Sequence, residues 1–148
     1  MKIAIGSDHA GFELKKVVKE YLLSRPDLEI TDAGTHTGDS VDYPDYGAEV
    51  AGKVSTGLSD RGILICGSGI GMSIVANRFP GVRAALCTDE ETARLSRQHN
   101  DANILVLAGR RTGAATGKAI VAAWMETDFE GGRHQRRLDK IEKLQQRA

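Results

Sequence analysis

The chain has 148 residues, 41% of them hydrophobic, enough for one compact domain with its own core. Lysine plus arginine and aspartate plus glutamate number 20 each, so no global field favours nucleic acid or an anionic membrane, and any recognition of an anion must be local. No apolar run is long enough to cross a bilayer or to serve as a signal peptide, and the two cysteines form no CxxC pair; a cytosolic protein without a structural disulfide or metal site is expected.

In chain order, Lys2 to Gly6 reads as a strand and Ser7, Asp8 and His9 as the turn after it. Ala10 to Ser24 follows as a helix whose apolar face is Leu14, Val17, Val18, Tyr21 and Leu22, with Lys15, Lys16, Lys19 and Glu20 lying off that face. Pro26 closes that region, and Leu28 to Thr31 is a short second strand. Asp32 to Pro44 has loop composition, and Asp45 to Val54 is a helix with small residues Ala48 and Ala51 on one face.

Ile63 to Cys66 is an apolar run of the kind buried on both faces of a parallel sheet. It passes into Gly67, Gly69 and Gly71 and then a helix from Gly69 to Asn77. Such a loop collects backbone N–H groups and the positive end of a helix dipole, which suits an anion. Val82 to Cys87 is the fourth strand, Thr88 a candidate N-cap for a helix to about Gln98, and Ile104 to Ala108 the fifth strand. Gly113 to Met125 and Arg133 to Arg147 are the last helices. Strands alternating with helices imply βαβ units, hence a three-layer α/β/α Rossmann-like sandwich with a five-stranded parallel sheet in one domain, residues 1–148.

The strand-end loops bring chemistry-bearing residues together. Cys66 closes the third strand, where open α/β sheets bind ligands. Taken alone a cysteine is more often a small buried hydrophobe than a nucleophile or base; the glycine loop shifts the weight toward a reactive role. Cys87 keeps the structural reading. Arg133 and Arg137, spaced i, i+4, can grip one phosphate or simply be a solvated face, and His99 can cap its helix. The loops GSDHAG and GSGIGM lack a dinucleotide fingerprint, and no Walker lysine follows Gly71, so nucleotide binding is disfavoured.

Together GSDHAG at 6–11, DYPDY at 42–46, CGSGIG at 66–71, SRQHND at 96–101 and EGGRHQRR at 130–137 closely resemble the ribose-5-phosphate isomerase B family, which also contains allose-6-phosphate and galactose-6-phosphate isomerases. The resemblance implies a Cys66 base moving a proton between C1 and C2, His99 opening the sugar ring, and a sugar-phosphate site of Asp8, His9, Tyr43, Gly67, Ser68, Gly69, Ile70, Gly71, Asn100, Arg110, Arg133 and Arg137. One branch of the family uses a glutamate after the last loop glycine instead; Met72 stands there, so this chain resembles the cysteine type. Neither metal nor cofactor is implied. A hexose-6-phosphate isomerase and a non-catalytic sugar-phosphate sensor are the alternatives.

The resemblance further implies a homodimer, or a tetramer, whose site is shared: Cys66, its loop, Asp8 and His9 from one chain, His99, Asn100 and Arg110 from the other. A physical reason supports the division. Cys66 ends a strand and His99 ends a helix, and in βαβ units those ends lie at opposite edges of the sheet.

Overall fold

The structure is a computed structural model that describes residues 1–147. Five strands, β1 (Lys2–Ser7), β2 (Glu29–Gly34), β3 (Arg61–Cys66), β4 (Ala84–Leu86) and β5 (Ile104–Ala108), form one sheet in the order β2-β1-β3-β5-β4. Every pairing is parallel. The helices are α1 (Phe12–Leu23), α2 (Tyr43–Ser55), α3 (Ile70–Ala76), α4 (Glu90–Asn100), α5 (Ala114–Glu126) and α6 (Arg133–Gln145).

The period-two alternation of the central strands divides the core into two layers. Ile3, Ile5, Ile63, Ile65, Leu105 and Leu107 pack with Leu14, Val18 and Leu22 of α1, Ala93 of α4, and Ile120, Val121 and Trp124 of α5. On the opposite face Ala4, Leu64, Cys66, Ile104 and Val106 meet Val50, Ala51 and Val54 of α2 with Met72 and Ala76 of α3. Both faces are therefore dry, as an all-parallel sheet requires.

The differences from the sequence expectation have local causes. α2 begins at Tyr43, two residues before the expected start, because Pro44 fits the first turn, where no intrahelical N–H partner is needed. Its buried stripe is Gly47, Val50, Ala51 and Val54; Gly47, rather than Ala48, makes the close approach to Met72 of α3. β4 shrinks to three residues at the sheet edge, since Arg83 N–H is taken by the Asn103 side chain. Asp89, not Thr88, caps α4, accepting from Thr92 N–H at 2.7 Å. Lys15 is not on the solvent face: it is 1% exposed, with its ammonium 2.7 Å from Asp32. Met72 is fully buried in the core and does not line the cavity described below.

Candidate active site

Three strand-end loops meet at the carboxyl edge of β1, β3 and β5. They enclose a cavity of about 510 Å³ lined by Asp8, His9, Tyr43, Cys66, Gly67, Ser68, Ile70, Gly71 and Arg110, with Ala10 and Ile74. That volume is in the range of small-ligand sites. Backbone bonds splice the loops: Gly109 N–H donates to Cys66 O at 2.8 Å and Arg110 N–H to Gly67 O at 3.1 Å. Asp8 is buried, one carboxylate oxygen taking Gly11 N–H at 3.0 Å. His9 accepts Val41 N–H on Nδ1 at 3.1 Å.

The glycine loop needs its glycines for two separate reasons. Gly69 has φ +77°, and a side chain there would start 2.4 Å from Leu86 Cδ1. At Gly71 the obstacle is Tyr43, whose Cζ lies 2.5 Å from where a Cβ would be. Tyr43 therefore lies flat against the start of α3 and forms one wall. Ser68 Oγ accepts Ile70 N–H at 3.2 Å, which leaves its own proton free to donate. Cys66 is 4% exposed and lines the cavity between the two loops.

Arg110 falls on this side. The assignment of Arg110 to the partner's half with His99 and Asn100 is therefore corrected: the backbone splice to Gly67 holds it in the cavity of its own chain. Arg110 follows β5, and β5 lies beside β3 in the sheet.

His99, Asn100, Arg133 and Arg137 are elsewhere. α4 carries His99 and Asn100 along 11 residues, about 16 Å of helix, toward the amino ends of the strands. There the His99 ring stacks on His134 of α6 with centroids 4.3 Å apart and planes 11° from parallel, and Glu130 lies 3.7 Å from His99 Nε2. His134 and Leu138 are the buried residues of α6, and Arg133 and Arg137 precede them on the exposed side. Burial, with help from the nearby positive charges of Arg133 and His99, holds the His134 imidazole below its ordinary range. His134, between Arg133 and Arg137 in the sequence, is not among the expected site residues; its i, i+4 spacing with Leu138 marks the packed face of α6.

His99, Glu130 and His134 place three ligand-type atoms within 4.8 Å of one another. An imidazole binds an ion in its own plane, and two nearly parallel rings cannot share one ion in both planes, so this is a stacked cluster and not a chelate.

A family model described as Ribose/Galactose Isomerase matches residues 3–141. The chain belongs to that family. It is 47% identical over 146 residues to ribose-5-phosphate isomerase B of Escherichia coli (strain K12), covering 99% of this chain and 97% of that one. The Clostridium thermocellum ribose-5-phosphate isomerase B structure superposes with a TM-score of 0.97 at 50% identity, covering 99% of both chains. The enzyme from Mycoplasma genitalium with bound ribulose-5-phosphate gives a TM-score of 0.95 at 43% identity, covering 99% of this chain and 97% of that one. The family's α/β/α sandwich and parallel five-stranded sheet are those described above.

Proposed function

We propose that this chain interconverts ribose 5-phosphate and ribulose 5-phosphate. Cys66 is the base: its thiolate takes the proton from C2 of the open-chain aldose while the C1 carbonyl becomes an enediolate oxygen, and the same proton returns to C1 as C2 becomes the carbonyl. The loop from Gly67 to Gly71 offers N–H donors to the enediolate, where a preorganised donor is worth about 3 kcal/mol. The Ser68 hydroxyl moves the accompanying proton between O1 and O2. Neither metal nor cofactor takes part.

The observation that carries this reading is that Cys66 lines a cavity together with the glycine loop, Asp8, His9 and Arg110. The similarity to an enzyme solved with ribulose-5-phosphate supports the substrate. Both cysteines are free, as in a reducing compartment such as the cytosol, and among the described residues no helix is long and apolar enough to cross a membrane.

In this reading the site is completed by a second copy of the chain. His99, which opens the furanose ring, and Asn100, Arg133 and Arg137, which hold the phosphate end, come from the partner. The apolar rim of the cavity, with Ile70 56% and Ile74 55% exposed, gives that copy a surface to cover.

The test is kcat/KM for ribose 5-phosphate beside allose 6-phosphate, followed by NMR of the sugar. Preference for the pentose is expected. A higher value for the hexose would move the assignment to a hexose-6-phosphate isomerase, and turnover of neither would leave only a binding role.

A further inference from the structure

The buried ammonium of Lys15 is unused by the chemistry above, yet it is tied to the cavity through one loop. Lys15 Nζ is 2.7 Å from Asp32 Oδ1 and also donates to Thr35 O. Asp32 accepts as well from Lys19 Nζ at 2.9 Å and from Gly34 N–H at 2.9 Å. Burial works against the Asp32 charge, but the bonds from Lys15 and Lys19 outweigh it and hold the carboxyl below its ordinary range. Thr35 is 5% exposed and fixed at both ends of its backbone, its N–H donating to Ser7 O at 2.7 Å.

Thr35 is the root of the segment 35–42, whose residues 36–40 are exposed. The segment returns to the protein where Val41 N–H meets His9 Nδ1 at 3.1 Å, and its end enters α2 at Tyr43. A backbone N–H can only donate, so Nδ1 of His9 must accept, and the neutral ring then carries its proton on Nε2. His9 belongs to the cavity wall. The bond to Val41 thus decides whether that wall offers a hydrogen-bond donor or an acceptor to a bound sugar phosphate, whose oxygens want a donor.

We propose that Lys15, with Asp32, is a positioning residue for the isomerase site: it anchors Thr35, the anchored loop presents Val41 N–H, and that N–H locks His9 as the Nε2–H tautomer. The link runs from a charge buried beneath α1 to the protonation pattern of a residue in the cavity. It rests on the functional reading only for its kinetic consequence.

The experiment uses the full chain with ¹⁵N-labelled histidine. The four histidines are His9, His36, His99 and His134, and the His9 signals are those lost in His9→Asn. At a pH where the ring is neutral, wild type should show a single Nε2–H tautomer for His9, and Lys15→Met a mixture. In parallel Lys15→Met should lower kcat/KM about tenfold, the usual scale of one lost hydrogen bond, but by less than about twofold in the His9→Asn background. A wild-type Nδ1–H tautomer, an unchanged tautomer in Lys15→Met, or equal losses in both backgrounds would overturn the proposal. Should Lys15→Met not fold because Asp32 is left buried alone, Lys15→Met with Asp32→Leu removes both charges and faces the same criteria. The tautomer is read without turnover, so it stands or falls separately from the isomerase assignment.

Discussion

At the carboxyl edge of the sheet, Cys66, Asp8 and Arg110 are held by the backbone of three adjacent parallel strands and the bonds that splice their loops. At the amino edge, His99 and His134 are held by a stack between two helix side chains, with Glu130 beside them. The first arrangement has a cavity and a potential base; the second has an imidazole pair and two exposed arginines but no thiol. Each edge holds what the other lacks. The proposed isomerase reaction draws on both, and a helix of 11 residues separates them within one chain.

The sharpest way to break this comparison is at Cys66. Cys66→Ala should lower kcat by at least about 100-fold while ribose 5-phosphate affinity stays within about tenfold, because the thiol acts on the C–H in the transition state. Retention of more than about a tenth of wild-type kcat would remove the base role and leave the carboxyl edge as a binding surface only.

The next test joins the edges. Cys66→Ala and His99→Asn, each expected to be inactive alone, are co-expressed and the mixed dimer purified. With sites shared across a two-fold axis, one site collects both lesions and the other is intact, so activity should return to about half of wild type. A verified mixed dimer that stays inactive would confine each site to one chain. Arg137→Ala then probes the amino edge alone. It should raise KM for the phosphorylated sugar about ten- to a hundredfold, the scale of one charge-assisted bond, with Arg133→Ala in the same direction. Unchanged KM at low salt would make this face of α6 a solvated one.

Much of the carboxyl edge was legible because a strand that runs from Ile63 to Cys66 into three glycines has few other uses. β5 matches its expected bounds, Ile104–Ala108, since five apolar residues flanked by polar ones leave little choice. What escaped was tertiary. Lys15 looks like a surface lysine until Asp32, on a strand beyond the helix, is placed beside it. Arg110 was assigned to the wrong half because its location depends on β5 lying next to β3, and strand order is not written in a local pattern. Thr88 lost the cap position to Asp89 because the carboxylate reaches Thr92 N–H.

A smaller effect tests how the carboxyl edge is packed. Gly71→Ala must push the Tyr43 ring, which costs about 1–3 kcal/mol of stability by the usual scale of overpacking. Gly38→Ala, in the exposed stretch 36–40 with nothing within 4 Å, should be close to neutral in the same chemical denaturation series. Equal effects at the two glycines would show that Tyr43 is free to move and that the cavity wall is not preformed.

The smallest expected effect belongs to the amino edge and concerns pH. His134 titrates below its ordinary value of 6.5 in the folded state, first because it is buried and then because Arg133 and His99 oppose a further positive charge. The unfolded chain therefore binds this proton before the folded chain does as pH falls. Unfolding then takes up protons, so stability rises with pH in this window. The contribution is complete above about 6.5 and is lost progressively as pH drops from there toward the folded value, below which it levels off. Comparing urea midpoints of wild type and His134→Asn from pH 8 to pH 5 isolates it, because the other titrating groups are common to both proteins. Wild type should lose stability more steeply than the variant below about 6.5. Parallel profiles would mean that His134 takes a proton as readily folded as unfolded, and that the stack with His99 is loose enough to admit water.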